Sequence, residues 1–572
     1  MLVELSGLLH YSPCASTHIK GDWMSPKVPK TVPRFTLGGY VAELDHFQDS
    51  VFYETPQWQT LASKLEKGCF IVGRTGSGKS CLLMTLEENE RENVIRIDPK
   101  NLAMSYITNL DLVKRCHELE IDLSQYWNVL WLHVFIVEII RHRYNVNSNE
   151  VSQSIFNSWF DKFRGDKGKQ RALEYLTEYR DSIWEQTHVA LRTVTTKINK
   201  DFQFNAEISG GVTPLSGKLM SNISNNKGEE SVSEEIQRFK NIINQDQLPK
   251  LHNMLDIIKS EVLKDSVNFT YIIIDDLDLD WVSDAVSYDL IRVLFQTILE
   301  LKRIANLKIL VALRSNMFQK LDLGSKSGQE EKLRSLVIDM QWSRGDLIGM
   351  LNERVSLASS QNNSSINTLA ELLPKTNSTR GNPIDFIFER TFLRPRDLIK
   401  FLSECLKQTS VNKFKLSWED IKTAELAYSK DMLMSLRDEW KSNYPGIDLV
   451  VEKFKSAPMR MNHSQIVKIL DEIALLTSDP TLSLNAWLGS VSEPIYSKPY
   501  DGNNFEVYRD LVQILYSIGL IGCTPSDSEK PQYCYENDSC VSSDISFKKI
   551  KFFILHPAYQ RGLEIRPKEI VI

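Results

Sequence analysis

Cysteine is sparse in this chain, with eight in 572 residues, at positions 14, 69, 81, 116, 405, 523, 534 and 540. They form no paired framework of the secreted, disulfide-stapled kind, so a reducing cytosol is the expected compartment. Cys523, Cys534 and Cys540 lie near one another, but without a C-x-x-C or a fourth ligand nearby the spacing does not make a zinc site. Long apolar runs are lacking too. The most apolar stretch, Trp127 to Ile140, is interrupted by Asn128, His133 and Glu138 and is too short to span a bilayer, so no membrane association is expected. The start, Met1-Leu2-Val3-Glu4-Leu5, carries no basic segment, which argues against a secretory leader. A net charge of −6 and an isoelectric point near 6.0 exclude a generally basic nucleic-acid coat. With 42% apolar and 25% charged residues, the chain reads as a globular protein of about two to four domains with substantial cores.

Against these absences stands one dense motif. Gly73-Arg74-Thr75-Gly76-Ser77-Gly78-Lys79-Ser80 reads G-x-x-x-x-G-K-S, directly after the apolar run Cys69-Phe70-Ile71-Val72 and directly before the helical pattern Cys81-Leu82-Leu83-Met84-Thr85-Leu86. That is a phosphate-binding loop in its strand-to-helix setting. Glycines let the backbone curl so that N–H groups converge on phosphate oxygens, and the following helix presents its positive end to the same anion. The motif assigns Gly73 to Ser80 to a nucleotide, Lys79 to its β/γ-phosphates and the Ser80 hydroxyl to Mg²⁺.

A second strand, Tyr271-Ile272-Ile273-Ile274, ends in Asp275-Asp276-Leu277-Asp278. Buried parallel strands deliver such acids at their carboxyl edge, where open α/β sheets bind ligands. Asp275 is the expected Mg²⁺ partner, and Asp276 is placed to orient or deprotonate the attacking water. Asp278 and Asp280 read as solvated turn residues. An amphipathic helix (Leu290, Ile291, Leu294, Phe295, Ile298, Leu299, Leu301) leads to a third strand beginning at Leu307 and ending in Arg314-Ser315-Asn316. A right-handed crossover sets the two strand ends near each other. Arg314, Ser315 or Asn316 is therefore expected to sense the γ-phosphate, with Arg314 assigned to catalysis.

The gaps between these elements divide the chain. Residues 1–35, with Pro13, Pro26, Pro29 and Pro33, read as a loosely ordered arm. Residues 36–345 form the α/β core, which includes strand candidates at Asn93–Asp98 and Leu336–Met340. Roughly 200 positions separate Lys79 from Asp275, far more than a crossover requires, so an insertion is expected at about 105–265. It begins as an apolar helix (Trp127, Leu130, Trp131, Val134, Phe135, Ile139), and Gly210-Gly211 and Pro214 break a later polar part. Residues 346–445 read as a helical lid. A capping box at Ser343-Arg344-Gly345-Asp346 opens a helix bearing Leu347, Leu351 and Arg354. Pro395, in a first-turn position, sets Arg394 and Arg396 at a helix start, where they either approach the nucleotide or are solvated flanking residues. A second box, Ser417-Trp418-Glu419-Asp420, opens a long helix that ends before Pro445. In the tail, 446–572, a helix from Leu511 closed by Gly519 and a strand at Lys548–Leu555 make a winged-helix pattern, a module for DNA or for protein contact.

The set GRTGSGKS, IIIDDLD, ALRSNMF and FLRPRDLIKF resembles the STAND and KAP-type branch of AAA+-like P-loop ATPases, over about 36–440. It is similar in particular to bacterial stand-alone members with a DDLD strand and an RPRD lid, which are often associated with defence systems. The resemblance implies ATP with Mg²⁺, slow hydrolysis and conformational signalling to an effector or sensor protein in trans, with homo-oligomer formation as one route. An N-K-x-D guanine-reading motif is missing from any suitable place. Membrane helices in the insertion and sensor repeats, which relatives of this kind carry, are missing too, which argues against membrane recruitment and against sensing by this chain alone. The alternative reading is an ATP-dependent DNA-binding scaffold resembling a replication initiator, with DNA held by the tail.

Overall fold

Five short strands build the central sheet: β1 (Phe70–Gly73), β2 (Val94–Ile97), β3 (Thr270–Ile274), β4 (Leu307–Arg314) and β5 (Val337–Asp339). All pair in parallel, in the order β2-β3-β4-β1-β5. This computed structural model describes residues 35–102 except 49, 122–145, 166–178, 247–277, 284–321, 330–410, 414–478 and 486–565 except 499, 503, 527–528, 538–540 and 542–543. The arm at 1–34, Asp278 and Asp280, the Gly210-Gly211 and Pro214 breaks, and Cys14, Cys116 and Cys540 lie outside the described residues.

The strands are continuously apolar because both faces of a parallel sheet are covered. On one face Phe70, Val72, Ile272, Ile274, Ile309 and Val311 join a core with the helices Ser124–Tyr144 and Asp284–Leu301. On the other, Ile71, Tyr271, Ile273, Leu310 and Ala312 pack with Leu82, Leu83 and Leu86 of the helix Lys79–Asn89. The alternation follows the two-residue period of a strand. One charge breaks the pattern. Lys308 in β4 is buried, yet its Nζ donates to the carbonyls of Thr60 (2.8 Å), Leu61 (2.9 Å) and Ser63 (2.7 Å), at the end of the helix Pro56–Ala62. Those carbonyls have no partner within their own helix, and the ammonium supplies one.

The apolar stretch expected at the start of the insertion is the helix Ser124–Tyr144, buried on nearly every side. Trp131 Nε1 donates to Leu290 O at 3.1 Å, and Thr297 Oγ1 donates to Asn128 Oδ1 at 2.8 Å, so this helix is fixed to Asp284–Leu301 beneath the sheet. Among the described residues no helix is long and apolar enough to cross a membrane.

After β5 the chain is helical. Arg344–Gln361 and Trp418–Trp440 both start with the expected capping boxes, on Ser343 and Ser417, and Pro395–Gln408 starts with Pro395 in its first turn. Downstream lie the strand β6 (Arg460–Asn462), the helices His463–Leu475, Ala486–Ser497 and Arg509–Ser517, and the strands β7 (Ile521–Thr524) and β8 (Phe552–Leu555). The three strands form an antiparallel sheet in the order β6-β8-β7. The last strand is shorter than the Lys548–Leu555 run suggests, because Asp544–Phe547 is helical and Ile550 N–H still turns back to Phe547 O. A single apolar core runs from Leu347 to Ile565, across the boundary read at 445, and also takes in Phe35, Leu37 and Phe47.

Candidate functional site

The loop after β1 curls through Gly76 (φ 80°) and Gly78 (φ 97°), conformations that a side chain resists. Gly76 needs its missing side chain for a second reason, since a Cβ there would sit 2.7 Å from the Cβ of Arg396. Gly78 is the N-cap of Lys79–Asn89 and offers no side chain to cap it. The helix therefore points open N–H groups and its positive end at the space above the loop. Lys79 folds across that space, with Nζ 2.9 Å from Gly73 O and 3.2 Å from Arg74 O. Burial lowers its pKa to about 8, against the opposing pull of Asp275.

A cleft of about 1230 Å³, its open mouth included, brings together Thr75, Gly76, Gly78, Lys79, Ser80, Asp275, Asp276, Arg314 and Arg396. The topology explains the convergence. Gly73 pairs with Arg314 at the ends of β1 and β4, and Ile274, just before the acids, pairs with Val311 on the same strand β4. Asp276 adopts a left-handed backbone (φ 60°), and its N–H donates to Asp275 Oδ1 at 2.9 Å. Burial and then the neighbouring charges of Asp275 and Glu43 raise the Asp276 carboxyl above the ordinary range, which suits a proton acceptor. Burial, foremost, lowers the pKa of Arg314. Ser315 and Asn316 do not join the cleft. They begin a short helix, Ser315–Lys320, and line a second cleft on the other side of the loop.

The two lid arginines part company. Arg396 lines the nucleotide cleft, its backbone N–H directed at Gly76 O (3.4 Å) and its Nε donating to Tyr40 O (3.2 Å). Arg394 is turned to the rear of the loop, where its Nη1 donates to Thr75 O at 2.8 Å and its Nε to Asp397 Oδ2 at 2.9 Å, with Glu439 3.6 Å away. A guanidinium committed to the buried Asp397, the partly buried Glu439 and a carbonyl is not available to phosphate. Arg74 is also directed backwards, lying 4.8 Å from the centre of the Phe392 ring with Nη1 3.7 Å from Cys534 Sγ. The side chains of Arg74 and Arg394 thus serve the rear of the loop and not the nucleotide face that the motif suggests.

That rear wall is continuous with the tail. Phe392 stacks on His556 with centroids 4.3 Å apart, and His556 accepts from Ala558 N–H at Nδ1 (3.1 Å) and meets Tyr535 Oη at Nε2 (3.1 Å). Burial, then the charges of Arg74, Arg394 and Arg390, holds His556 well below its usual pKa, so it is neutral. The phosphate loop lies between one cleft in front and a second behind, the latter walled by lid and tail residues such as Phe392, Arg394, Glu439 and Tyr535.

The front wall of the cleft comes from a segment without any motif. Tyr40, Glu43, Asp45, Gln48, Val51, Phe52 and Tyr53 line it, opposite Trp342, Met350, Arg354 and Ile399. A buried ion pair, Arg354 Nη2 to Asp45 Oδ2 at 2.5 Å, and a 2.8 Å bond from Arg354 Nη1 to Leu37 O pin this segment to the lid. Only the short apolar and aromatic run Val51-Phe52-Tyr53 hints at it in the sequence, and nothing local links Asp45 to a residue 309 positions away.

No cluster of three or more His, Cys, Asp or Glu residues able to hold a metal occurs among the described residues, Cys523 and Cys534 included. A family model described as the FunZ-associated C-terminal helical domain matches residues 345–437. No curated protein matches the sequence. Among solved structures, the chain aligns with the Walker-type ATPase PABY2304 of Pyrococcus abyssi at 12% identity and a TM-score of 0.34, over 90% of this chain and 96% of that one.

Proposed function

We propose that this chain is a cytosolic ATP-binding and ATP-hydrolysing switch whose nucleotide state is passed to its lid and tail. The observation that carries the reading is the convergence of Lys79, Ser80, Asp275, Asp276, Arg314 and Arg396 on one cleft. A hydroxyl and a carboxylate are hard oxygen donors of the kind Mg²⁺ takes alongside phosphate oxygens and water. Ser80 and Asp275 would hold the ion, which when bound neutralises charge on the β- and γ-phosphates. Lys79 would exchange its two carbonyl partners for phosphate oxygens, a stronger, charge-assisted pairing. Asp276 would orient the water and accept its proton, and Arg314 and Arg396 would meet the charge on the γ-phosphate from the sheet and lid sides.

The switch component rests on the rear of the loop. Arg394 and Arg74 tie the loop backbone and its first side chain to Glu439, Phe392 and Cys534, so a loop rearrangement on binding would be felt in the lid and tail. The order helix, β6, three α-helices, β7, the short helix Asp544–Phe547 and β8, with the sheet order β6-β8-β7, supports the winged-helix reading of 446–572. The family match over 345–437 supports treating the helical lid as a unit. Control of an effector or sensor in trans, self-association and a part in antiviral defence extend the same reading, whereas DNA binding by the tail belongs to the alternative, an ATP-dependent DNA-binding scaffold. Salt-dependent duplex binding by the full chain, compared with ATP and with ADP, separates the DNA scaffold from the protein switch.

The primary test is calorimetric titration of the full chain with ATP and Mg²⁺, beside phosphate release. Lys79→Ala is expected to lower ATP affinity at least about tenfold, roughly 1.4 kcal/mol. Equal affinity in parent and variant would remove the phosphate loop from the function.

A further inference from the structure

Gln48 is 5% exposed, and neither its side-chain nitrogen nor its side-chain oxygen has a hydrogen-bond partner. A buried amide left bare is costly, and native structures seldom keep one without a use. Gln48 lines the same cleft as Lys79 and Ser80. The cleft carries apolar side chains as well, Val51 and Phe52 from the same segment as Gln48 and Met350 and Ile399 from the lid. The adjacent Asp45 carboxylate is already engaged, accepting from Arg354 Nη2 and from the N–H groups of Gly39 (2.7 Å) and Phe47 (3.1 Å). The backbone of Gln48 is fixed by its N–H bond to Asp45 O at 3.1 Å, so the amide is held by a turn that Arg354 anchors.

From this geometry we infer that the Gln48 amide reads the nucleobase, and that the base is adenine. The inference rests on the nucleotide reading of the cleft. A carboxamide presents a donor and an acceptor side by side, and adenine offers the complementary pair along either outer edge, N6–H with N7 or N6–H with N1. One amide satisfies that edge. Guanine carries O6, N1–H and the N2 amino group in a row, so a single amide leaves a guanine polar group desolvated and unpaired. The apolar side chains of Val51 and Phe52 on the cleft give the ring a surface to lie against, and the phosphates reach the loop from the same cleft.

The test is titration of the full-length protein and its Gln48→Leu and Gln48→Glu variants with ATP, GTP and inorganic tripolyphosphate, each with Mg²⁺. The parent is expected to prefer ATP to GTP, and Gln48→Leu to bind ATP about 10- to 100-fold more weakly with tripolyphosphate affinity unchanged, because two hydrogen bonds to the base are lost and none to phosphate. Gln48→Glu, which retains only acceptors, should also lose ATP affinity. The melting temperature of the nucleotide-free Gln48→Leu protein should match or exceed the parent's, since the substitution removes an unsatisfied buried amide. A structural role for Gln48 predicts the opposite, a lower melting temperature with all three ligands weakened together, and that outcome overturns the inference. An unchanged ATP-to-GTP ratio in Gln48→Leu overturns it as well and leaves the phosphate site intact. Failure of the parent to bind either ATP or tripolyphosphate overturns the nucleotide reading itself, and this inference with it.

Discussion

Arg394→Ala should destabilise the protein and weaken ATP and ADP binding alike. In the intact chain the Arg394 guanidinium is 8% exposed and faces Asp397, 2% exposed, and Glu439, 13% exposed. Removing it leaves the buried Asp397 carboxylate and the largely buried Glu439 carboxylate without their cation, and breaking a buried pair in this way costs about 3–5 kcal/mol. The Phe392 N–H still donates to Asp397 Oδ2 at 3.1 Å, so the lower part of that range is expected. Loss of the bond to Thr75 O frees the phosphate loop whichever nucleotide is offered. The pH dependence has a definite sign. Burial acts to raise the Glu439 pKa, but Arg394, Arg74 and Arg314 outweigh it and hold the carboxyl below its usual range. Its contribution to stability is therefore present above the ordinary carboxylate pKa and is lost as pH falls through the depressed value. In the variant that support is gone, so the stability gap between parent and variant should be widest near neutrality and narrow as pH falls below the ordinary carboxylate range. Urea unfolding at several pH values, with ATP and ADP titrations at pH 7, measures each part. A variant with the parent's urea midpoint that loses ATP affinity while keeping ADP affinity would refute the positioning role and restore Arg394 as a γ-phosphate sensor.

Three further outcomes follow from the front of the cleft. Arg396→Ala should weaken ATP binding more than ADP binding, because Arg396 lines the nucleotide side of the loop; equal affinities for both nucleotides, at parental values, would remove it from the site. Asp276→Asn should still bind ATP in calorimetry, while phosphate release falls by about 10² or more, and turnover at the parent rate would reassign the base. ATP affinity should decline as pH rises above about 8, since the buried Lys79 ammonium deprotonates there and must regain its proton to meet phosphate; a flat affinity between pH 7 and 9 would contradict that.

What the sequence determined by itself was the local chemistry of strand ends and helix starts. The phosphate loop, the Asp275-Asp276 pair, Arg314 at the end of β4 and the capping boxes at Ser343 and Ser417 are all written in contiguous residues, because turn geometry, strand burial and helix caps depend on neighbours in the chain. Tertiary structure decided the direction of each side chain and its long-range partners. Arg394 and Arg396 stand two residues apart on either side of Pro395 and look equivalent in sequence, yet one turns to the rear of the loop and the other lines its face. Leu347 to Ile565 share one core although the sequence suggests a break near Pro445, since burial is set by which faces meet and not by where a helix stops. The front wall around Gln48 exists only because Asp45 reaches Arg354 far along the chain, a pairing that no local pattern encodes and that folding alone brings together.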